Sequence, residues 1–294
     1  MSYFRSDLAR RRLKRRILLN AVIRKVFLLS TGFVFLLLTV LLFRIVEQGI
    51  GWLDLPFLTG KLSINPEKAG IYGVILGSLL LMLVVIPVTV ILGVATAVYL
   101  EEYAPRGRLR NIIQTNIANL AGVPSVIFGL LGLTVFSRLF GLGSSILAGG
   151  LTLSLLVLPI IVVASQEAVK AVPNELRDAS YALGATQWTT IRRVVLPSAL
   201  PGILTGSILS LSRAIGETAP LVVLGVPALI LKIPQGFMDN FTALPIQIYY
   251  WTLDAVLTKE YANLAAATSI VLLVLLFVLN ASAIVIRNRQ QRKH

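Results

Sequence analysis

The sequence predicts an all-α membrane protein of six transmembrane helices with both termini in the cytoplasm. Three observations predict it. Of 294 residues, 56% are hydrophobic and only 14% are charged, against roughly a quarter charged in ordinary soluble domains. The apolar residues gather in six stretches, 26–46, 71–99, 117–140, 143–165, 199–224 and 263–286, and about 20 such residues cross a bilayer as a helix. The basic residues gather in alternate connections between those stretches. A soluble bundle would have to hide six helices that are apolar all round, with no polar faces left to cover them.

With the N-terminus inside, twenty of the 27 Lys and Arg residues fall on the cytoplasmic side. The tail 1–25 carries Arg5, Arg10, Arg11, Arg12, Lys14, Arg15, Arg16, Arg24 and Lys25. Arg106, Arg108 and Arg110 follow the second span, and Lys170, Arg177, Arg192 and Arg193 follow the fourth. The tail 287–294 carries Arg287, Arg289, Arg292 and Lys293. Only Lys61, Lys68, Arg138, Lys232 and Lys259 fall outside, while Arg44 and Arg213 lie within spans. Cytoplasmic connections carry such an excess, and an odd number of spans would scramble it. The net charge of +14 therefore reports topology and implies no nucleic-acid partner. The basic run 8–19 attracts anionic membrane lipid, at about 1 kcal/mol per charge near the surface, and lacks an aromatic platform for stacking bases.

The stretch 26–46 is read as a retained first span. Its apolar run exceeds the roughly 7–15 residues of a signal-peptide core, and no A-x-A-like cleavage site follows. Arg44, at its end, is expected to snorkel. The outer segment 47–70 holds Gly49, Gly51, Pro56, Gly60 and Pro66 and reads as a loop. Pro87 should kink the second span or free a carbonyl. Gly122-Val123-Pro124-Ser125 interrupts the third. The segment 225–262 reads as a second outer connection, with Tyr249-Tyr250-Trp251 suited to the membrane–water interface. There is no cysteine, and the sole histidine is His294, so thiol chemistry and an interior histidine metal site are excluded.

The cytoplasmic segment 166–198 is far longer than the roughly 2–8 residues of a simple helix–helix connection. Pro173 and Asn174 resemble a helix start. The stretch 175–183 is helix-compatible and is ended by Gly184. A second helical stretch, 187–196, is stopped by Pro197. Two short helices broken at a glycine make an elbow, and an elbow on the cytoplasmic face is a docking surface.

Arg213 and Glu217 stand inside the fifth apolar stretch. A charge near the bilayer centre costs about 2.5–3.5 kcal/mol on insertion scales. Spaced four apart on a helix, the two side chains share a face and can pair. The pair is either a structural ion pair that fixes helix register or an anion site, because guanidinium presents a planar fork matched to oxyanions. In the second case Glu217 would compete for the guanidinium and let the ion leave.

Asp178-Ala179-Ser180, three residues, Gly184, nine residues and Val194-Val195-Leu196-Pro197 resemble a known signature. It is the E-A-A, three residues, G, nine residues, I-x-L-P pattern of permease subunits of binding-protein-dependent type I ABC importers. Asp, Ser and Val replace Glu, Ala and Ile. In that family the elbow inserts into a groove on the ATPase subunit, which implies coupling roles for Asp178, Ala179, Ser180, Gly184, Leu196 and Pro197. Within the family, Ser212 through Pro220, Asn119 through Ser125 and Thr242 through Tyr249 resemble phosphate permeases. Glu217-Thr218-Ala219-Pro220 favours the PstA-type subunit over the PstC-type. Sulfate and molybdate permeases share an Arg…Gly-Glu arrangement, so that motif alone leaves the oxyanion open.

The resemblance covers about residues 70–285 and makes 71–286 a permease core of five helices. It implies a PstC-like permease partner, a PstB-like ATPase dimer that holds ATP and magnesium, and a soluble PstS-like phosphate-binding protein. It implies no cofactor on this chain, which carries no G-x-x-x-x-G-K-[ST] phosphate loop. A proton-coupled secondary transporter with Glu217 as proton carrier is the alternative, but inverted repeats are not evident. An intramembrane enzyme lacks His, Cys and paired intramembrane carboxylates.

Overall fold

A computed structural model describes residues 3–105, 107–230 and 232–291. Arg106, Arg292, Lys293 and His294, four positions of the sequence reading, lie outside them. The described chain is helical apart from its connections. Five helices are long and apolar enough to cross a membrane, or six if one bent pair counts as a span.

Helix α1 runs unbroken over Tyr3–Gly49, 47 residues, or about 70 Å at 1.5 Å per residue. The expected boundary between a basic tail and a span at residue 25 is therefore no break. The reason is local: residues 3–31 contain neither glycine nor proline, and Leu, Arg, Lys and Ala favour helix. Arg44 Nη1 lies 3.3 Å from Glu47 Oε2, both exposed. The segment 47–70 is more than a loop. Helix α2, Leu55–Thr59, is capped by Asp54, whose carboxylate accepts from Phe57 N. Phe57, Leu62 and Ala69 are buried, and together with Trp251 and Leu264 they form a cap at one end of the bundle.

Helix α3, Tyr72–Val98, contains Pro87 without ending there, and wider π-helical turns carry it on through Tyr99–Tyr103. The third expected span is broken. Helix α4, Arg108–Leu120, and the run Ser125–Leu139 meet at 105°. Pro124 has no N–H to donate and disfavours helical backbone at Val123, so one helix does not pass through. The run begins with α5, Ser125–Leu131, and spans only about 22 Å at helical rise. Helix α6, Ile146–Lys170, is the most buried of the long helices and packs chiefly against α3.

Helices α7, Asn174–Ala182, and α8, Gln187–Thr190, form the elbow. The expected stop at Pro197 does not occur. π-helical turns at Ile191–Val195 lead straight into α9, Leu196–Gly216. The widened π-helical turns just before Pro197 relax the bonding ladder where its missing N–H and its ring would otherwise break an α-helix. The fifth expected span instead ends at Glu217, whose backbone is extended (φ −74°, ψ 121°). The short α10, Ala219–Val223, then packs against α5.

The segment 225–262 is not simply an outer connection. Phe241, Ala243, Leu244 and Ile246 are fully buried, and Leu244 N donates to Ser78 Oγ at 2.8 Å. Trp251, expected at the interface, is 3% exposed. It lies on α11, Leu244–Asp254, with its ring centroid 6.4 Å from that of Phe57. An aromatic cluster suits an interface and a core equally, and here that cap supplies the core. Helix α12, Glu260–Gln291, runs on through Arg287, so the expected tail at 287 is continuous with the last span.

Helices α6 and α9 approach closely at glycines. A Cβ on Gly202 would lie 2.8 Å from Ala168 Cβ, and one on Gly206 would lie 2.5 Å from Ala164 Cβ. Gly206→Val should therefore destabilise the bundle by about 1–3 kcal/mol through overpacking. Its thermal midpoint in detergent should fall, while that of Gly32→Val, at a site with open space around it, should not.

Candidate functional site

The elbow is set by local chemistry. Gly184 takes φ +81°, a left-handed backbone that side chains disfavour. Its N–H donates to Tyr181 O at 2.9 Å and Ala185 N to Ser180 O at 3.2 Å. The Thr186 side chain then caps α8 by accepting from Thr189 N. Asp178 and Ala179 are exposed, and Ser180 Oγ lies 2.9 Å from Thr190 Oγ1. Leu196 and Pro197 stand apart from these, half-buried at the start of α9. There Leu196 packs on a small core that includes Val169, Ile191 and Val195. The most exposed apolar side chain of the elbow is Leu183, at 90%, with Trp188 at 57%. Sequence reasoning passed over both, although apolar residues flanking a turn glycine in a polar segment were the available signal.

A second feature missed from sequence lies beneath the elbow. Glu101 and Glu102, on the π-helical turns ending α3, have side chains only 8% exposed. Glu101 accepts from Arg110 Nη2 at 2.6 Å, Gln114 Nε2 at 3.2 Å and Gln166 Nε2 at 3.1 Å, and lies 3.7 Å from Lys170 Nζ. Glu102 Oε1 accepts from Arg177 Nη2 at 2.9 Å and Nε at 3.2 Å. Arg177 also donates to Val172 O at 2.6 Å and Val169 O at 2.9 Å, carbonyls at and just beyond the end of α6. Gln187 Nε2 donates to Glu102 O at 2.6 Å.

Arg213 and Glu217 do meet, with Arg213 Nε 3.1 Å from Glu217 Oε1. They meet across the helix end, since Glu217 is the residue that leaves α9. Depth follows from the glycine contacts. Gly202 lies beside Ala168 and Gly206 beside Ala164, an antiparallel register that carried forward places Arg213 level with Val157, mid-way along α6. The Arg213 side chain is 56% exposed there, and that of Glu217 only 16%. A charge at such depth is expected to face protein or a wet cavity and not hydrocarbon. Nearby, Ser212 Oγ donates to Asn280 Oδ1 at 2.5 Å, and Arg287 Nη1 to Thr205 Oγ1 at 3.3 Å, joining α9 to α12. A cavity of about 640 Å³ lined by Pro227, Ile230, Lys232 and Asp239 lies elsewhere and includes neither member of the pair.

Membrane-spanning helices that carry a protruding elbow at one end define a transport permease. The family described as "Binding-protein-dependent transport system inner membrane component" matches residues 89–293, and the chain belongs to it. It is thus a multi-pass protein of the cytoplasmic membrane. Among curated relatives, the phosphate transport system permease protein PstA 1 of Mycobacterium tuberculosis is 34% identical over 97% of this chain and 92% of its own length. PstA of Mycobacterium leprae is 38% identical over 72% and 70%. The probable ABC transporter permease protein YqgI of Bacillus subtilis is 36% identical over 60% of each chain. Among solved structures, a chain of the inward-facing MetNI methionine ABC transporter matches with a TM-score of 0.56 at 19% identity, over 75% of this chain and 94% of that one. A bacterial alginate ABC transporter in complex with a periplasmic protein matches at 0.55 and 17%, over 72% and 76%. The fold is that of type I ABC importer permeases.

Proposed function

We propose that this chain is the membrane-spanning subunit of an ATP-driven importer of inorganic phosphate and supplies half of the translocation pathway. It hydrolyses no ATP itself. A separate ATPase dimer binds ATP and magnesium and docks on the elbow, a homologous permease completes the pathway, and a soluble phosphate-binding protein delivers the anion. The elbow and both termini face the cytoplasm, in keeping with the Lys and Arg distribution. The observation that carries the reading is Arg213. Its guanidinium is exposed at mid-span depth with Glu217 beside it, an arrangement suited to holding an oxyanion and letting it go. The names of the full-length relatives favour phosphate over sulfate or molybdate.

The test is uptake by vesicles in which this chain is reconstituted with the subunits that co-purify with it. Radiolabelled phosphate should enter only with ATP and the capture protein, stop with vanadate and persist with a protonophore. Uptake of sulfate or molybdate in place of phosphate would move the assignment to that oxyanion. Collapse by a protonophore with ATP maintained would replace the importer with a proton-coupled transporter.

A further inference from the structure

Helix α7 carries the coupling signature, yet none of its apolar side chains is buried. Apolar packing therefore does not fasten it to the spans. What fastens it is polar. Ser180 meets Thr190 on the neighbouring arm of the elbow. Arg177 reaches past the elbow altogether, to Glu102 at the end of α3 and to Val169 O and Val172 O at the end of α6. One planar guanidinium thus ties three elements, which a point-charge ammonium could not do. Glu101, the next residue along, ties the same end of α3 to α4 through Arg110 and Gln114, and to α6 through Gln166.

We propose that Arg177 and Glu102 form the strut through which movement of the elbow reaches the spans. They are positioning residues: they touch neither substrate nor nucleotide, but make α7, α3 and α6 move as one body. Without the strut, α7 can swing about the turn Ala171–Pro173 and leave the spans behind. A buried ion pair is weak evidence for stability, because desolvation offsets much of the attraction, and fixing a unique geometry is its better-attested use. Here the geometry fixed is the angle between the elbow and two spans. Glu101 extends the body to α4, so that the bend at 121–124 moves with it.

The strut rests on the importer reading, and its test separates the two. In vesicles containing the complete transporter, phosphate moved per ATP hydrolysed is measured for wild type, Glu102→Gln, Arg177→Gln and Arg177→Lys. In all three variants the ratio should fall about tenfold, within the usual range of coupling between sites, while the subunits still co-purify. The chain has no cysteine, so a Glu102→Cys, Arg177→Cys pair can be bridged by a short thiol cross-linker. Bridging should restore the ratio, and cleaving the bridge should abolish it again. A normal ratio in Glu102→Gln and Arg177→Gln would overturn the strut and leave the importer standing. So would a fall matched by lost co-purification and unrelieved by the bridge. Absence of ATP-driven phosphate uptake by wild type would overturn the importer reading itself.

Discussion

Replacing Arg213 with glutamine should cut phosphate uptake by about two to four orders of magnitude, the loss of two charge-assisted hydrogen bonds worth roughly 1.5–3 kcal/mol each. Glutamine keeps much of the length and the polarity but neither the charge nor the fork. Lysine keeps the charge alone and should fall between. Because the Arg213 side chain is already 56% exposed, its removal leaves no cavity, and the complex should assemble normally. Glu217→Gln addresses release. If Glu217 competes for the guanidinium, the neutral amide should leave phosphate held longer, with slower uptake and greater retention of label on washed vesicles. Initial rates normalised to subunit content provide the measurement. Normal rates in both Arg213→Gln and Glu217→Gln would take the pair out of the pathway and return it to a register-fixing role.

The second large effect is expected at Leu183. Its side chain is 90% exposed at the turn of the elbow, and burial of a leucine contributes about 1.5–3 kcal/mol. Leu183→Asp removes that term and adds the desolvation of a carboxylate. At about 1.4 kcal/mol per tenfold, affinity for the ATPase dimer should fall by at least a hundredfold. The thermal midpoint of the isolated permease should not move, because so exposed a side chain contributes little to its core. Titration of the purified ATPase against the permease in detergent measures the change. Undiminished binding would show that the docking surface lies elsewhere on the elbow.

Features that act over a few residues were legible in the sequence. Gly184 and the helix starts near Pro173 and Gln187 are local chemistry, and those signals placed where both arms of the elbow begin. Arg213 and Glu217 stood out because charge inside an apolar run is costly wherever the chain goes. What could not be read depended on distant partners. Glu101 and Glu102 look like ordinary charges where a span meets water. Their burial follows from Gln166 and Arg177, 65 and 75 residues further along. Trp251 was placed at the interface because nothing near it in sequence announces Phe57. The interruption of the third span at Gly122-Val123-Pro124-Ser125 was legible, but its size was not: Pro124 acts on backbone geometry, and the chain turns there by 105°. Pro197 misled in the opposite direction: π-helical turns at Ile191–Val195 carry the helix past it.

The elbow's corner has a consequence for how such machines diversify. No atom lies within 4 Å of where a Cβ on Gly184 would sit, so its angle is held by torsion and not by crowding. Exposed side chains such as Asp178 and Leu183 are free of the job of holding that shape, which falls to the left-handed glycine and the Ser180–Thr190 contact. On the importer reading, those exposed positions can change to match a different motor while the lever keeps its throw.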